Sequence, residues 1–272
     1  MLYSTDKDCD DVDIRLESNT QVSRVISLFN QSGGVGKTTL TMNLGYHLAQ
    51  LGHRVLLVDM DPQGSLTAFM GLEPSELDKT VYEAILLGEL LPIHQSIHNM
   101  DLAAANINLS GAELELVVAD MRDLRLKEAL QPILKQYDFI LVDCPPSLGI
   151  LSYISLVAST HVLIPIQTQY KALKGTELLF NTIARVRNRA NRKLQVAGVI
   201  PTMHDSRTVQ DEMSLKSIQE QLSKIGAIYS TIPRSIAFAD ASQAHVPLAI
   251  YNSKHPAVRL LDEIALGLEI LV

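Results

Sequence analysis

The sequence is poor in cysteine and aromatic residues: among its 272 residues there are two cysteines, no tryptophan and 5% aromatic residues. Cys9 and Cys144 form neither a CxxC pair nor a Cys/His cluster, so the pattern does not support a zinc site or an iron–sulfur cluster. The 14 glycines and 11 prolines are too few for a low-complexity chain. The hydrophobic fraction of 47% instead predicts a protein with a large buried core.

Long apolar runs are missing as well. No segment approaches the roughly 20 consecutive apolar residues that a membrane-spanning helix needs, and the first residues are acidic rather than typical of a secretory signal. We therefore expect a cytosolic protein. Because acidic residues outnumber basic ones 30 to 23, binding of nucleic acid would require a local basic patch.

The sequence divides into two parts by composition. Residues 1–22 contain six acidic and two basic residues. We interpret them as a flexible acidic extension, with an interaction arm as the alternative. Residues 23–272 show no internal repeat and no linker, and we interpret them as a single domain.

Short apolar runs alternate with amphipathic segments throughout residues 23–272. The predicted strands are rich in β-branched residues; they are VSRVISLF, RVLLVD, YDFILVD, HVLIPIQ, LQVAGVIP and GAIYSTIP. Helices are predicted between them, with a last helix at about 256–270. This alternation predicts βαβ crossovers, and therefore an α/β fold with a doubly wound, mostly parallel sheet that has helices on both faces.

Three features predict where particular helices begin or break. Thr80 with Glu83, and Ser110 with Glu113, have the spacing of capping boxes, in which two side chains satisfy backbone N–H groups at a helix start. Pro132 is predicted to kink or divide the helix in MRDLRLKEALQPILKQ, since proline cannot donate the intrahelical hydrogen bond.

The strongest functional signal lies between the first predicted strand and the first predicted helix. Glycines there let backbone N–H groups converge on phosphate oxygens, and the helix adds its unpaired N–H groups and the positive end of its dipole. Lys37 supplies a charge to the β/γ-phosphates, and the Thr38 hydroxyl can bind Mg²⁺. The predicted nucleotide-binding residues of this loop are Gly33, Gly34, Val35, Gly36, Lys37, Thr38 and Thr39.

Three acidic residues follow the ends of two predicted strands. Asp59 and Asp61 end the strand in VLLVDMD, and Asp143 ends the strand in FILVD. The carboxyl ends of parallel strands line one crevice, so these carboxylates are expected to face Lys37. There they can hold Mg²⁺ through its waters and orient an attacking water. The alternative is that they cap helices.

Five segments resemble the successive motifs of ParA/MinD-type ATPases: NQSGGVGKTT, VLLVDMDPQGS, YDFILVDCPPSLG, TMHDSRT and TIPRSIAFADA. The resemblance covers nearly all of residues 23–270. It implies a P-loop NTPase fold and an enzyme that hydrolyses ATP with Mg²⁺. In that family, ATP joins two subunits face to face, and the dimer is the active form.

The resemblance also implies roles for single residues. Lys37 is the phosphate lysine, Thr38 and Asp59 belong to the metal site, Asp61 positions the hydrolytic water, and Asp143 is the second-strand acid beside the metal. Two residues in loops after late strands would pack near adenine: Met203 and Pro233.

Ser32 departs from the family pattern, which normally has a lysine there that reaches the partner's phosphates. The carboxysome-positioning McdA ATPases are similar in having serine at this position. A lost cation should weaken nucleotide-driven dimerisation unless another residue supplies the charge. Lys171 and Lys174 lie three apart on one predicted helical face, and the family usually has glutamate at the position of Lys174. Our hypothesis is that Lys174, or alternatively Lys171, reaches the partner's nucleotide; the alternative is that both are ordinary solvated lysines.

A basic cluster in ARVRNRANRKLQ contains no acidic residue. Such a cluster contacts DNA phosphates without reading the sequence, and an ATP-dependent dimer would double it. The alternative is a solvated helix end, where arginines are also favourable. The chain ends without the basic amphipathic tail of MinD, so a membrane anchor is not expected. The predicted DNA-binding residues are Arg185, Arg187, Arg189, Arg192 and Lys193.

The function implied by the resemblance is that of a positional switch on nucleoid DNA. ATP would favour a DNA-bound homodimer, and hydrolysis stimulated by a partner would release it. The first expected cargo is the carboxysome, with an McdB-like activator; plasmid or chromosome partition with a ParB-like partner is the alternative. Two readings from other classes are a metabolic P-loop enzyme that phosphorylates a small acid and a nucleotide-binding module with little hydrolysis.

Overall fold

The structure, a computed structural model, describes residues 23–169 and 175–271. The acidic extension predicted at residues 1–22 lies outside the described residues. Five of the strands overlap predicted apolar runs, and β3 and β4 lie in the segment between the second and third runs. The strands are β1 (Arg24–Leu28), β2 (Val55–Asp59), β3 (His94–Ile97), β4 (Met100–Ala103), β5 (Phe139–Asp143), β6 (His161–Gln167) and β7 (Gln195–Thr202).

These strands form one sheet in the order β3-β4-β2-β5-β1-β6-β7. Among the described residues, all pairings between the strands are parallel except that of β3 with β4. Every residue of β2 and β5 is buried, as expected for apolar runs covered on both faces, and burial of each large apolar side chain contributes about 1.5–3 kcal/mol. The predicted mostly parallel α/β sheet is confirmed.

The helices cover both faces of the sheet. They are α1 (Lys37–Gln50), α2 (Ser65–Phe69), α3 (Leu109–Val118), α4 (Arg125–Leu130), α5 (Ile150–Ala158), α6 (Thr176–Arg189), α7 (Val209–Leu222), α8 (Ala237–Gln243), α9 (Leu248–Tyr251) and α10 (Pro256–Glu269). Val25 faces the core under α3–α7, whereas Ile26 faces the core under α1, α2 and α8–α10. None of the helices in the described part of the chain has both the length and the apolar character needed to span a lipid bilayer.

Helix α1 lies very close to the sheet at Gly45. A Cβ atom at this position would lie 2.6 Å from Cδ2 of Leu57 and 2.9 Å from Sδ of Met100. On the other side of α1, Nδ1 of the buried His47 is 2.5 Å from Oδ1 of Asp262 in α10. Helix α1 is therefore held between the sheet and α10.

Two of the predicted helix boundaries are confirmed and one is wrong. The Thr80 N–H donates to Oε2 of Glu83 at 2.6 Å, where a short π-helix (Glu83–Leu87) begins. A 3₁₀ helix with Pro132 in its first turn follows α4 directly. The capping box predicted at Ser110 is wrong, because α3 already begins at Leu109. The residue that precedes α3 is Asn108, two residues earlier than predicted, and the Leu109 N–H donates to the Asn106 carbonyl at 3.0 Å.

The strand predicted in GAIYSTIP, residues 226–233, is also wrong. Within the described residues, this segment is joined to Val199 and His204 by isolated bridges. The Ile232 N–H donates to the Pro201 carbonyl at 2.8 Å. Pro201 has no N–H to donate in return, so a regular ladder cannot continue along β7.

The hairpin of β3 and β4 was not predicted. β3 is short, polar and largely exposed, so it has no apolar periodicity. His98 and Asn99, between the two strands, both have positive φ values of 53° and 64°, as in the tight turns that favour hairpins. Asn99 is the one signal that could have indicated the turn, because asparagine tolerates this conformation.

Candidate nucleotide-binding site

The loop between β1 and α1 leaves backbone N–H groups open at the start of a helix. Gly36 precedes α1 with φ 90°, a left-handed conformation that favours glycine. No side chain caps this helix start and no acidic residue lies in its first turn, so the first N–H groups are available to an anion. The buried Lys37 folds back, and its Nζ donates to the Ser32 carbonyl at 3.0 Å.

Side chains from the neighbouring strands fix the shape of this loop. Nε2 of Gln167, at the end of β6, donates to the Gly34 carbonyl at 2.8 Å. Oγ1 of Thr202, at the end of β7, donates to the Val35 carbonyl at 2.9 Å. Gln167 and Thr202 are not among the site residues predicted from the sequence. Their position at the ends of apolar runs is the signal that could have found them, because the carboxyl ends of parallel strands meet at one edge.

Asp59 and Asp143 lie side by side at this edge, as partners in the register of β2 and β5. Both are completely buried. In the described residues, Oδ2 of Asp143 has no hydrogen-bond partner, and Oδ1 accepts a long bond of 3.4 Å from Oγ1 of Thr41. Burial, together with the nearby Asp59 carboxylate, raises the pKa of Asp143 well above its usual range, while the Thr38 hydroxyl opposes this rise.

Thr67, which is not among the site residues predicted from the sequence, holds the Asp59 carboxylate. Oδ2 of Asp59 accepts hydrogen bonds from the Thr67 N–H at 2.9 Å and from its hydroxyl at 2.8 Å. Oδ1 accepts the Asp61 N–H at 3.0 Å. Burial raises the pKa of Asp59 to about 6, although these bonds oppose the rise. Asp61 itself is half-buried and accepts the Gln63 N–H at 3.0 Å.

These residues fit a bound Mg²⁺ ion. Asp59 and Asp143 place two carboxylates in an apolar setting with one buried oxygen left unpaired, and a hard cation satisfies such oxygens. Burial lowers the pKa of Lys37, while the Asp143 carboxylate opposes that change. In the described ranges, no cluster of three or more His, Cys, Asp or Glu side chains could hold a metal. Hydroxyl, water or phosphate oxygens would complete the coordination, with Thr38 as the protein hydroxyl.

The two residues expected near adenine lie in adjoining loops beyond β7. Met203 directly follows Thr202, which bonds the phosphate loop, and its backbone has a positive φ of 53°. Pro233 lies beside His204, to which an isolated bridge joins it. The structure thus brings both loops next to the phosphate loop, and the contact with adenine stays a prediction.

Lys171 and Lys174 lie outside the described residues. The described residues on either side of them contact the phosphate loop. Gln167 bonds Gly34 as above, and Nε2 of Gln31 donates to the Gly175 carbonyl at 2.7 Å. Gln167 and Gly175, eight positions apart in the sequence, therefore both contact this loop.

The basic cluster predicted to bind DNA lies at the carboxyl end of α6 and in the turn before β7. All five side chains are exposed. Within residues 23–169 and 175–271, none of them lies within ion-pair distance of a carboxylate. Helix α6 begins beside Gly175 and the phosphate loop, so the cluster at its other end lies near the opposite edge of the sheet.

Comparison with known proteins decides the family. A family model described as an AAA domain matches residues 23–196. The chromosome partitioning protein ParA of Myxococcus xanthus is 38% identical over 256 residues, covering 92% of this chain and 88% of that protein. This chain belongs to the ParA/MinD-type ATPases.

Two solved structures share the fold of this ParA-type chain. One is a complex of McdA with ATP from Cyanothece, with 25% identity and a TM-score of 0.82, covering 93% of this chain and 99% of that one. The other is cobyrinic acid a,c-diamide synthase from Mycobacterium smegmatis with bound ADP and magnesium, with 36% identity and a TM-score of 0.74, covering 82% and 91%. The predicted ParA/MinD-like fold is confirmed.

Proposed function

We propose that this ATPase is a DNA-associated positional switch. ATP with Mg²⁺ joins two copies, the dimer holds DNA through the basic cluster of residues 185–193, and hydrolysis stimulated by a partner protein releases it. The single observation that carries the proposal is the separation of charge in the fold. Buried acids and a buried lysine meet at the carboxyl edge of the sheet, and unpaired cations are exposed near the opposite edge.

The chemistry at the carboxyl edge follows from the residues present. The open N–H groups of α1 and the Lys37 ammonium bind the phosphates, where the lysine exchanges its bond to Ser32 for a phosphate oxygen. Thr38, Asp59 and Asp143 would hold Mg²⁺, which would supply positive charge to the phosphate oxygens when bound. Asp61 is half-buried at the mouth of the site, where its carboxylate can orient a water for attack.

Dimerisation is proposed to depend on a lysine that replaces the family lysine lost at Ser32. The contacts of Gln167 and Gly175 with the phosphate loop support this, because they flank Lys171 and Lys174. We expect Lys174→Ala to abolish ATP-dependent dimers in sedimentation, whereas the exposed Lys224→Ala does not. If Lys171→Ala has that effect instead, the alternative lysine is responsible. Normal dimers in both variants would exclude the idea.

DNA binding is proposed to be independent of sequence and dependent on ATP. We expect Arg187→Glu with Arg189→Glu to weaken binding of any duplex by about tenfold or more and to flatten its salt dependence, because each lost phosphate contact lowers the slope by about one. Lys224→Glu with Lys254→Glu changes the net charge equally at exposed positions outside the cluster. Equal binding by the two double variants would contradict the proposal.

The cargo is proposed to be a chromosome or plasmid, with a ParB-like activator. The 38% identity to the chromosome partitioning protein of Myxococcus xanthus supports this choice over the carboxysome expected first. Ser32 and the likeness to McdA from Cyanothece support the carboxysome, with an McdB-like activator, as the second candidate. The discriminating measurement is the ATPase rate with DNA and the protein encoded beside this gene. Stimulation by a centromere-binding protein favours partition, and stimulation by an McdB-like protein favours carboxysomes.

A metabolic enzyme is the alternative from another class. The 36% identity to cobyrinic acid a,c-diamide synthase is the observation that favours it. Such an enzyme couples ATP cleavage to a small acid, so turnover would require that acid and would not respond to DNA. ATP hydrolysis that DNA and a partner protein stimulate, with no small acid present, would exclude this alternative.

A further inference from the structure

A cavity of about 930 Å³ lies at the amino edge of the sheet, opposite the phosphate loop. Its wall contains residues that precede or begin parallel strands, such as Val25, Arg54 and Asp138. Its floor is apolar, because Val25, Leu130 and Val157 all line it. The volume lies at the upper end of the range that ligand pockets occupy.

The rim of this cavity is positively charged. Lys127, Lys135 and Lys193 line it, and none of the three has an ion-pair partner within the described ranges 23–169 and 175–271. The acid on the rim, Asp138, is already bound to Arg54 with an Nη2–Oδ1 distance of 2.8 Å. The rim therefore offers three uncompensated cations around an apolar floor.

The segment that ends at this cavity has the matching chemistry. Ser23 lines the cavity, and its buried hydroxyl has no partner among the described residues, so residues 1–22 enter the structure at this point. They contain six acidic and two basic residues. Val12, Ile14 and Leu16 alternate with charged residues, which places three apolar side chains on one face of an extended chain.

We propose that residues 1–22 dock in this cavity, with the face of Val12, Ile14 and Leu16 on the apolar floor and the acidic side chains on Lys127, Lys135 and Lys193. The reach is sufficient, because the seven residues from Leu16 to Ser23 span up to about 23 Å when extended. The occupant is the chain's own extension, since its charge is opposite to that of the rim and it starts at the cavity wall.

Docking has a consequence for DNA binding, which rests on the proposed function. Lys193 belongs both to the rim and to the basic cluster. An acidic segment held there neutralises part of the cluster and competes with DNA phosphates for it. The docked extension is thus an intramolecular competitor of DNA.

The first test uses the full chain with a small dye on Cys9. Cys144 does not react, because it is buried and burial raises the pKa of its thiol to about 12. We expect Lys127→Glu with Lys135→Glu, and also high salt, to lower the fluorescence anisotropy of the dye toward that of the labelled peptide 1–22. The control, Lys224→Glu with Lys254→Glu, keeps the wild-type anisotropy. Equal anisotropy in both double variants overturns the proposal.

The second test separates docking within one chain from docking between copies. A short bismaleimide crosslinks Cys9 to a cysteine introduced by Gln131→Cys, on the cavity wall. We expect a crosslinked monomer at a yield that is independent of concentration and falls several-fold on Lys127→Glu with Lys135→Glu. Crosslinked dimers alone, or a yield that the charge reversal leaves unchanged, overturn the proposal.

The third test measures the consequence for DNA. Asp10→Asn with Asp11→Asn and Asp13→Asn is expected to tighten ATP-dependent DNA binding several-fold at moderate salt, and the gain disappears at high salt. If neither the wild-type chain nor this variant binds DNA, the proposed function fails and the dye and crosslinking results still decide docking. If DNA binds equally to both while docking is demonstrated, the competition with DNA is excluded.

Discussion

The two ends of strand β5 carry aspartates with opposite electrostatics. Asp138 precedes the strand at the amino edge, where the hydrogen bonds from Arg54 hold its pKa below the usual range. Asp143 ends the strand at the carboxyl edge, where burial and Asp59 raise its pKa well above that range. Both oxygens of the Asp138 carboxylate accept hydrogen bonds from Arg54, whereas Oδ2 of Asp143 has no hydrogen-bond partner in the described residues. This difference identifies the edge that binds a cationic ligand.

Asp61→Asn should have the largest effect of these substitutions. It should change the rate of ATP hydrolysis at the carboxyl edge and leave the amino edge unaffected. The amide cannot act as a base toward water, so we expect ATP hydrolysis to slow by about 100-fold or more, with nucleotide affinity unchanged. Single-turnover hydrolysis and nucleotide titration separate the two quantities. The exposed Asp78→Asn is the control. If the Asp61 and Asp78 variants hydrolyse ATP at the same rate, Asp61 has no role in the reaction.

Asp143→Asn should stabilise the nucleotide-free protein and impair Mg²⁺-dependent nucleotide binding. A carboxylate with a raised pKa lowers stability as pH rises through its folded-state pKa, because the unfolded chain releases the proton more readily. At pH 7 we expect the melting temperature to rise by about 3 °C or more, and the gain should shrink as the pH approaches 4. A lower melting temperature at pH 7 would contradict the comparison.

Asp138→Asn should change stability in the opposite direction from Asp143→Asn and destabilise the protein. A carboxylate with a lowered pKa contributes stability above its unfolded pKa, and that stability is lost as the pH falls through the folded value. Loss of the bonds to Arg54 should cost about 1 kcal/mol at pH 7, with no change in ATP hydrolysis. Thermal melting between pH 3 and 7 measures the effect against the exposed Asp240→Asn. An increase in melting temperature at pH 7 would show that the carboxylate at the amino edge also destabilises the fold, and would contradict the comparison.

Thr202→Val should have the smallest effect on stability and ATP affinity. It tests whether a single hydrogen bond at the carboxyl edge shapes the phosphate loop. It removes the bond to the Val35 carbonyl, so we expect a loss of about 1 kcal/mol in stability and a several-fold loss in ATP affinity. Thr182→Val removes a similar bond, to Leu178 inside α6. The two variants should melt alike, and only Thr202→Val should bind ATP more weakly. Equal ATP affinity would exclude a role for Thr202 in shaping the loop.

The central fold and the loop could be predicted because their signals are local. Buried parallel strands appear as continuous apolar runs, and the run in β5 ends at Asp143, an acid of the candidate site. The position of Thr67 could not be predicted, because it acts through a contact with Asp59 that is made only after the sheet has assembled. Tertiary context also ended the ladder at Pro201, although residues 226–233 have the composition of a strand.

Gly45 lies eight residues after Lys37, about 12 Å along the helix axis, and no atom of it reaches the nucleotide. Because Leu57 and Met100 occupy the space of its missing methyl group, any larger residue must displace them or lift the helix. Lifting the helix would carry the ammonium of Lys37 away from the strand end that bears Asp59. Affinity for ATP therefore depends on the absence of a side chain at Gly45, on the side of α1 that faces the sheet. A substitution there would impair the enzyme although every residue of the nucleotide site is unchanged.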